Sequence, residues 1–416
     1  MTTFVDYYNE NDLIFALKGV SRGEEWREWR QALNKDVYAK TDGYIPLISG
    51  AAKKISKVAH YEVTESKNLK FEDFISRSAF DMFSAVMYGT SAQTTDSYKA
   101  DEVDIEFVKA SQRAFDLTGQ VLSNPLEKLF ASDIYSNFKV SMDKTYSIGK
   151  SRTNFYINDA VKLKEAESID SGLETNGCPV TATKSMIQNL VNRGTLKEED
   201  LAEMGPVLVM AGVDTTAYVM SWLFLNLAEN VDVQSKLAAE LKKTLKGEDI
   251  TSAEQLDALP YLKACIRESH RLNPSTPIMT KKLDKDIDVQ SGDGSAYHVK
   301  AGQRISLNLR GYPMDPKCLE SPNEYRPERF LKDSVQTRKG TPAEVIDHPA
   351  FADPFGRGKR RCLGSSVAIN EIEILTARLF QDYELTLVDP KAMWQPKMKL
   401  MLKADPYPDM ILTPRS

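Results

Sequence analysis

The first two-thirds of the chain carry apolar residues at helical spacing. Between residues 23 and 38, apolar side chains recur three or four positions apart, which places them on one face of a helix. These side chains are Trp26, Trp29, Leu33 and Val37. The same kind of pattern predicts helices at residues 48–58, 71–87, 103–122 and 131–164.

A longer apolar pattern runs to about Ala228 and predicts a central helix. Thr195 and Glu198 match a capping box, in which each side chain satisfies a backbone N–H at the start of a helix. Pro206 lies inside the pattern and lacks an N–H, so we expect a kink there. Another helix is predicted at residues 252–272, and residues 168–183 have the polar composition of a flexible loop.

The last third of the chain has a different pattern of apolar and polar residues. Short segments at residues 286–290, 296–299 and 304–308 read as strands broken by Gly and Asp. Residues 345–361 look irregular, residues 365–381 helical, and the C-terminal end hairpin-like. The sequence therefore predicts a mainly α fold with a small β part, and residues 1–416 are expected to form a single domain.

Composition excludes several classes of protein. With 42% hydrophobic and 27% charged residues the chain is typical of a globular protein, and a net charge of −5 disfavours nucleic acid as a partner. Four cysteines without a CxxC pair predict neither a zinc site nor a disulfide framework, and favour a reducing compartment. We find no apolar run of about twenty residues and no signal or transit pattern at the N-terminus, so no membrane span is predicted.

The most specific chemical signal is a cysteine loop with the spacing F-x-x-G-x-R-x-C-x-G. Its residues are Phe355, Gly358, Arg360, Cys362 and Gly364. A thiolate that binds iron needs an exposed loop with backbone N–H groups directed at the sulfur, and the N-terminus of the following helix stabilises its charge. The glycines permit a tight loop against a flat macrocycle, and the arginine can pair with a carboxylate such as a haem propionate. A structural cysteine in a basic loop is the alternative, which the coincidence of five positions disfavours.

These residues resemble the cysteine-ligand loop of the cytochrome P-450 family of haem-thiolate monooxygenases. The resemblance implies the fold of that family, with haem b between the long kinked helix and the Cys362 loop. It also implies activation of O2 to hydroxylate an apolar small molecule, such as a sterol, carotenoid, fatty acid or terpenoid, because thiolate ligation favours O–O cleavage. A haem-thiolate isomerase or dehydratase, or an inactive haem-binding remnant, remains as the alternative.

A second family signature is AGVDTT, at residues 211–216 of the long helix. The resemblance implies that Ala211 and Gly212 leave room above the haem. It further implies that Thr215 directs its hydroxyl to the oxygen-binding side and that Asp214 relays protons as a general acid. The alternative is an ordinary polar patch on a helix.

Other signatures concern the haem and the fold. Glu268, Arg271 and Arg329 are expected to form a structural ion-pair trio, although Glu and Arg three apart also occur on ordinary surface helices. Trp26 and Arg30 resemble the helix that holds a haem propionate, unless they are a core Trp beside a surface Arg. At the position where the family usually has a propionate-binding Arg stands Lys281, which supplies the charge without the bidentate fork.

Electrons must come from a separate protein, because the chain contains no dinucleotide fingerprint and no P-loop. The basic residues Arg357 and Lys359 beside Cys362 would steer an acidic partner. Lys263 and Arg267 resemble the ferredoxin-binding pair of the mitochondrial branch. The alternative for these two residues is an ordinary pair of solvated basic side chains, and the alternative electron donor is a diflavin reductase. The branch implies the matrix face of the mitochondrial inner membrane, and a peripheral membrane contact is left open.

The resemblance runs from about residue 20 to the C-terminus. In the family, a targeting segment, a first helix, two strands and another helix precede the helix of Trp26. We therefore expect this sequence to lack that N-terminal segment.

Overall fold

The fold is described from a computed structural model that covers residues 2–38, 41–124, 126–170 and 183–415. Eight α-helices occupy the first part of the described chain. They are α1 (Thr2–Glu10), α2 (Ile14–Val20), α3 (Glu24–Leu33), α4 (Ile45–His60), α5 (Phe71–Tyr88), α6 (Glu102–Ser123), α7 (Leu126–Leu129) and α8 (Asp133–Asp170). The helices α3 and α4 each continue into one π-helical turn, at Asn34–Tyr38 and Tyr61–Glu65 respectively.

Eight further α-helices follow in the described residues beyond position 182. They are α9 (Met186–Arg193), α10 (Glu198–Glu229), α11 (Val231–Leu245), α12 (Ala253–Asp257), α13 (Pro260–Leu272), α14 (Lys332–Thr337), α15 (Pro349–Ala352) and α16 (Ser365–Asp382). Short 3-10 turns lie between them, and one of these turns, Gly358–Arg360, belongs to the cysteine loop.

The β structure consists of small antiparallel pairs. The strands are β1 (Ile278–Lys282), β2 (Ile287–Gln290), β3 (Ala296–Val299), β4 (Arg304–Asn308), β5 (Tyr383–Leu387), β6 (Gln395–Met398), β7 (Leu402–Asp405) and β8 (Met410–Pro414). Within the described ranges β1 pairs with β4, β2 with β3, β5 with β8 and β6 with β7. The register of the first pair places Lys281 opposite Ile305.

Helix α10 is the central element of the core, and it packs against α5, α6, α8, α13 and α16. Small residues allow these helices to approach closely: a Cβ added to Gly205 would lie within 1.9 Å of the Thr153 hydroxyl oxygen of α8. Pro206 packs against Gly149 of α8, whose added Cβ would meet the proline ring at 2.9 Å. The helix continues through Pro206, as the missing N–H removes only one backbone hydrogen bond.

By length and composition, α10 alone among the described helices could cross a membrane. Its most apolar window has a mean hydropathy of 1.5, but 56% of that window is buried inside the protein. Burial against five other helices explains this composition, because a helix that is apolar all round belongs in a core.

Most predicted elements are confirmed, with boundaries shifted by a few residues. The capping box at Thr195 is wrong, because α10 begins at Glu198 with Lys197 as its N-cap and without a side-chain cap. The helix predicted at residues 252–272 is two helices, since Pro260 starts α13 as its first residue and cannot continue α12. The loop predicted at residues 168–183 lies mostly outside the described residues.

Candidate active site

The cysteine loop is a tight turn that ends at the start of α16. Gly356 and Gly358 adopt φ angles of +71° and +72°, which residues with a side chain rarely adopt. The Cys362 N–H donates to the carbonyl oxygen of Phe355 at 2.9 Å and closes the loop. Gly364 has an ordinary φ of −85° and is the N-cap of α16. Gly356 and Gly358 therefore allow the tight turn of the loop, while Gly364 ends the loop at the start of α16.

The Cys362 side chain is exposed at the surface of this loop. Neighbouring protein atoms desolvate the thiol and raise its pKa, whereas the Gly364 N–H donates to the sulfur and acts to lower the pKa. The positive charges of Arg30 and Arg361 also lower it, and the negative charge of Asp353 raises it. The net effect raises the pKa of the Cys362 thiol, while the Gly364 N–H and the two guanidinium groups are the contacts that would stabilise a thiolate once it binds a metal.

Helix α3 is attached to the cysteine loop by two arginines. The Arg360 guanidinium stacks over the buried Trp26 ring at 3.9 Å and donates to the Ser21 carbonyl at 2.7 Å. From α3, Arg30 donates to the Arg361 carbonyl at 2.7 Å. Trp26 and Arg30 thus contact the segment that carries the cysteine, which a core Trp beside an unrelated surface Arg would not do.

Strand β1 reaches the same loop. The Met279 methyl group lies 4.0 Å from the position of a Cβ added to Gly356. Lys281 lies two residues further along β1 and is exposed. Since alternate residues of a strand point to the same face, Lys281 shares the face of β1 that meets the loop. Its charge is available there for a carboxylate.

The AGVDTT stretch of α10 presents two of its residues outward. Ala211 is exposed and Thr215 is partly exposed, and the Thr215 hydroxyl donates to the Ala211 carbonyl at 2.7 Å. Gly212 corrects an expectation: a Cβ added there would lie 2.7 Å from the Phe83 ring of α5. Its missing side chain allows helix packing and does not create room above a haem.

Asp214 points away from that outward face and is 2% exposed. Its carboxylate accepts a hydrogen bond from the Ser111 hydroxyl of α6 at 2.8 Å. Burial raises the pKa of Asp214 to about 7, the Ser111 hydrogen bond acts in the opposite direction, and the charge of Asp116 adds to the increase. Sequence reasoning missed Ser111, because nothing in the pattern of α6 distinguishes this serine from any other.

The predicted trio of charged residues comes together on α13. Arg271 donates to both oxygens of the fully buried Glu268, at 2.6 and 2.8 Å, and Arg329 donates to the same carboxylate at 3.3 Å. Arg271 also donates to the carbonyls of Pro313 and Pro322. The trio therefore fixes the irregular segment between β4 and α14, upstream of the cysteine loop.

The two basic residues predicted to bind a redox partner each have an acidic neighbour. Lys263 pairs with Asp257 at 2.5 Å. Arg267 pairs with Asp347 at 3.4 Å and stacks over the Phe330 ring at 4.3 Å. Both remain partly exposed, so a partner's acidic group would replace these internal ones.

The donor set around Cys362 fits a haem. The loop supplies one exposed sulfur with a backbone donor, and Arg30, Arg360 and Lys281 supply positive charge for two propionates. Helix α16, which starts beside the cysteine, packs against α10, whose small Ala211 side chain is exposed. These residues are the ones that would hold a haem, Cys362 through its sulfur and Arg30, Arg360 and Lys281 through their positive charge.

Comparison with known proteins identifies the family. The family model described as "Cytochrome P450" matches residues 6–411, which extends the resemblance upstream of residue 20. The chain is 26% identical over 398 residues to cytochrome P450 CYP12A2 of Musca domestica, covering 92% of this chain and 71% of that protein. It is 23% identical over 410 residues to the mitochondrial sterol 26-hydroxylase of Oryctolagus cuniculus, covering 97% and 72%. It is also 23% identical over 402 residues to the mitochondrial cholesterol side-chain cleavage enzyme of Hypanus americanus, covering 94% and 72%. The chain therefore belongs to the cytochrome P450 family, haem-thiolate oxidoreductases that incorporate one atom of O2 into their substrates.

Proposed function

We propose that this chain hydroxylates an apolar small molecule of the sterol, carotenoid, fatty acid or terpenoid class, with electrons from a separate ferredoxin-type protein. The observation that carries the proposal is the exposed Cys362 thiol with the Gly364 N–H donating to its sulfur. Two of the relatives are named for reactions on sterols, which supports a sterol among the candidate substrates.

The residues of the chain divide the work of holding the cofactor. Cys362 would bind the iron, and Phe355, Gly358 and Gly364 shape the loop that presents the sulfur. Arg30, Arg360 and Lys281 would hold the propionates by charge, and Trp26 would support them by its stacking contact with the Arg360 guanidinium. Haem bound through a thiolate supplies electron density for cleavage of the O–O bond.

The acid and alcohol of α10 would handle protons. Thr215 holds its hydroxyl on the Ala211 carbonyl and can rotate it outward, since a helical Thr exchanges its backbone acceptor for another partner. Asp214 has a pKa of about 7 and thus both holds and releases a proton near neutral pH. This pair favours a monooxygenase over a haem-thiolate isomerase or dehydratase. Reduction of O2 consumes protons that the protein must deliver, whereas isomerisation and dehydration do not involve O2.

The first experiment is the carbon monoxide difference spectrum of the reduced, haem-loaded protein. A strongly red-shifted Soret band is expected for the wild type, and Cys362→Ala should lose it. Cys318→Ala is the matched control, since Cys318 is a partly exposed cysteine elsewhere in the fold. A red-shifted band in the Cys362→Ala protein would overturn the assignment of the iron ligand.

Turnover separates the candidate functions. A monooxygenase consumes electrons and O2 when supplied with a ferredoxin, its reductase and a sterol or fatty acid. An isomerase or dehydratase would convert its substrate without electrons. An inactive remnant would show the red-shifted band at most and no electron consumption with any of these substrates.

The ferredoxin proposal rests on charge. Within the part of the chain that the structure describes, Arg357 and Lys359 are exposed and form no ion pair, and Lys263 and Arg267 lie on α13. Lys263→Glu should weaken electron transfer from ferredoxin by about tenfold, with a matching loss of salt dependence. The control is Lys150→Glu, at an exposed position of α8, which should leave the rate of electron transfer unchanged. Equal effects of the two variants, or faster reduction by a diflavin reductase, would exclude this site.

The location is proposed from the two mitochondrial relatives, namely the matrix face of the inner membrane. A peripheral contact with that membrane is supported by the segment around α7. Leu126, Leu129 and Phe130 there are 54%, 72% and 74% exposed, which is unusual for three apolar residues so close together. Phe130→Glu should reduce flotation with anionic vesicles, whereas Phe155→Glu on α8 should not.

A further inference from the structure

Helices α6 and α10 are joined by two successive polar contacts. Asp214 of α10 accepts from Ser111 of α6 at 2.8 Å. One turn further along α10, the Tyr218 hydroxyl donates to Asp116, which lies five residues after Ser111 on α6. Residues four apart on α10 share a helix face, so these contacts form two rungs between the same pair of helices.

The second rung extends to the turn between β6 and β7. Lys399 of this turn donates to the other oxygen of Asp116 at 2.6 Å. The turn lies directly on α6, because a Cβ added to Gly119 would be 2.4 Å from the Leu400 backbone nitrogen. Asp116 therefore connects α6 both to α10, through Tyr218, and to this turn, through Lys399.

Solvent reaches the second rung but not the first. A cavity of about 450 Å³ opens between α5, α6, α10 and β7, and Asp116 and Tyr218 lie on its wall. Asp214 is buried one turn behind them and does not line this cavity. Ser111 is itself 1% exposed, so the hydrogen bond between them is shielded from water.

We propose that Ser111 is a positioning residue for proton supply, which holds the Asp214 carboxyl against α6 and so sets the pH range in which Asp214 carries its proton. This inference rests on the proposed monooxygenase function and deepens it. Ser111 touches neither cofactor nor substrate in this role and acts through Asp214. The donated hydrogen bond stabilises the charged form of the carboxyl, because a hydroxyl donor binds a carboxylate more strongly than a neutral acid.

The charges around Asp214 leave this hydrogen bond as its main stabilising contact. Asp116 on α6 is the charged residue that acts on Asp214, and Lys399 from the β6–β7 turn partly compensates it. Several titratable groups on the packed elements have other partners or stay neutral: Glu72 of α5 pairs with Lys403 of β7, Arg152 of α8 pairs with Asp104, and burial raises the pKa values of Tyr146 and Tyr218. Lys109 and Arg113 of α6 lie on the wall of the cavity, which Asp214 does not line.

The experiment titrates the buried carboxyl directly in the ferric resting protein. Infrared difference spectra recorded against pH give the midpoint of the Asp214 carboxyl band, which is assigned by its loss in Asp214→Asn. Ser111→Ala should move the midpoint upward by on the order of one pH unit, because the carboxylate loses its hydroxyl donor. Ser111→Thr keeps the hydroxyl and should keep the wild-type midpoint.

Ser78→Ala is the matched control, because Ser78 of α5 is buried and its hydroxyl donates to the Phe74 carbonyl at 2.7 Å. It should titrate like the wild type. The pH dependence of product formed per electron pair should shift with the infrared midpoint in Ser111→Ala.

An unchanged midpoint in Ser111→Ala, or an equal shift in Ser78→Ala, would overturn the inference while leaving the monooxygenase proposal intact. The reduced carbon monoxide spectrum of each variant reports on the proposed function separately. If the wild type lacked the red-shifted band, the proposed function would fail, and with it the role of Ser111 in proton supply, whatever the titration showed.

Discussion

The buried carboxylate of Glu268 offers a sharp test of how the fold supports the cysteine loop. Glu268 is 0% exposed and accepts from Arg271 at 2.6 and 2.8 Å, from Arg329 at 3.3 Å and from the Arg326 backbone N–H at 2.9 Å. Glu268→Gln keeps the size and shape of the side chain. It removes the negative charge and replaces one acceptor oxygen by an NH2 group that faces guanidinium donors.

The cost follows from burial. Breaking a buried ion pair by removing one partner costs about 3–5 kcal/mol, because the remaining charge is left without compensation. Two guanidinium groups share this carboxylate, so we expect a loss in the free energy of unfolding within that range. Such a loss lowers the folding equilibrium constant by roughly two to four powers of ten, and it is a large part of the about 5–15 kcal/mol that stabilises a typical domain.

Urea unfolding followed by circular dichroism measures this loss, and the yield of haem-loaded protein measures its consequence for the site. The control is Asp405→Asn, which breaks the exposed ion pair to Lys397 at 2.8 Å and should leave the free energy of unfolding almost unchanged, because solvent screens this pair. If Glu268→Gln were as stable as Asp405→Asn, the trio would not be what stabilises this segment.

Further outcomes are expected at other positions. Burial raises the pKa of Glu373 from 4.5 to about 7, so between these pH values the native state keeps a proton that the unfolded state loses. The free energy of unfolding therefore falls as pH rises through this window. In urea titrations Glu373→Gln should be more stable than the wild type by roughly 3 kcal/mol at about pH 8 and equally stable at about pH 4. Gly119→Ala forces a Cβ to within 2.4 Å of the β6–β7 turn and should lower the free energy of unfolding by about 1–3 kcal/mol. The control Gly50→Ala places its Cβ in open space on α4 and should stabilise the protein. The reverse order of urea midpoints would contradict the close contact of Gly119 with the turn. Thr215→Ala should keep the thiolate spectrum and lower product per electron pair by roughly tenfold in favour of peroxide. The control Thr216→Ala removes a buried hydroxyl that has no hydrogen-bond partner among the described residues, and equal coupling in both variants would exclude Thr215 from the reaction.

The sequence by itself determined the elements and the loop that contains the proposed iron ligand. Helical and strand periodicity depends on neighbours in the chain, so α5, α6 and the hairpin of β2 and β3 could be predicted within a few residues. The loop of Cys362 could be found because its five residues lie within ten positions and their roles depend on local backbone geometry. Glu268 and Arg271 share a helix face for the same local reason.

Errors arose where a local pattern had competing local solutions. Thr195 matched a capping box, yet the chain enters α10 at Lys197, with three acidic residues in the first turn to complement the helix dipole. The predicted helix at residues 252–272 is interrupted after Asp257, and Pro260 begins a second helix, because the fixed φ of proline suits the first helical position.

The tertiary structure alone decided which residues surround the predicted ones. Ser111 lies 103 positions before Asp214, and only the packing of α6 on α10 brings its hydroxyl to the carboxylate. Gly212 was expected to make room for the cofactor, and the structure uses it to admit Phe83. Burial and long-range hydrogen bonding depend on how helices cross, which the order of residues in one helix does not specify. The sequence therefore determines which groups can do the chemistry, and the packing of the helices determines the charge and orientation with which they do it.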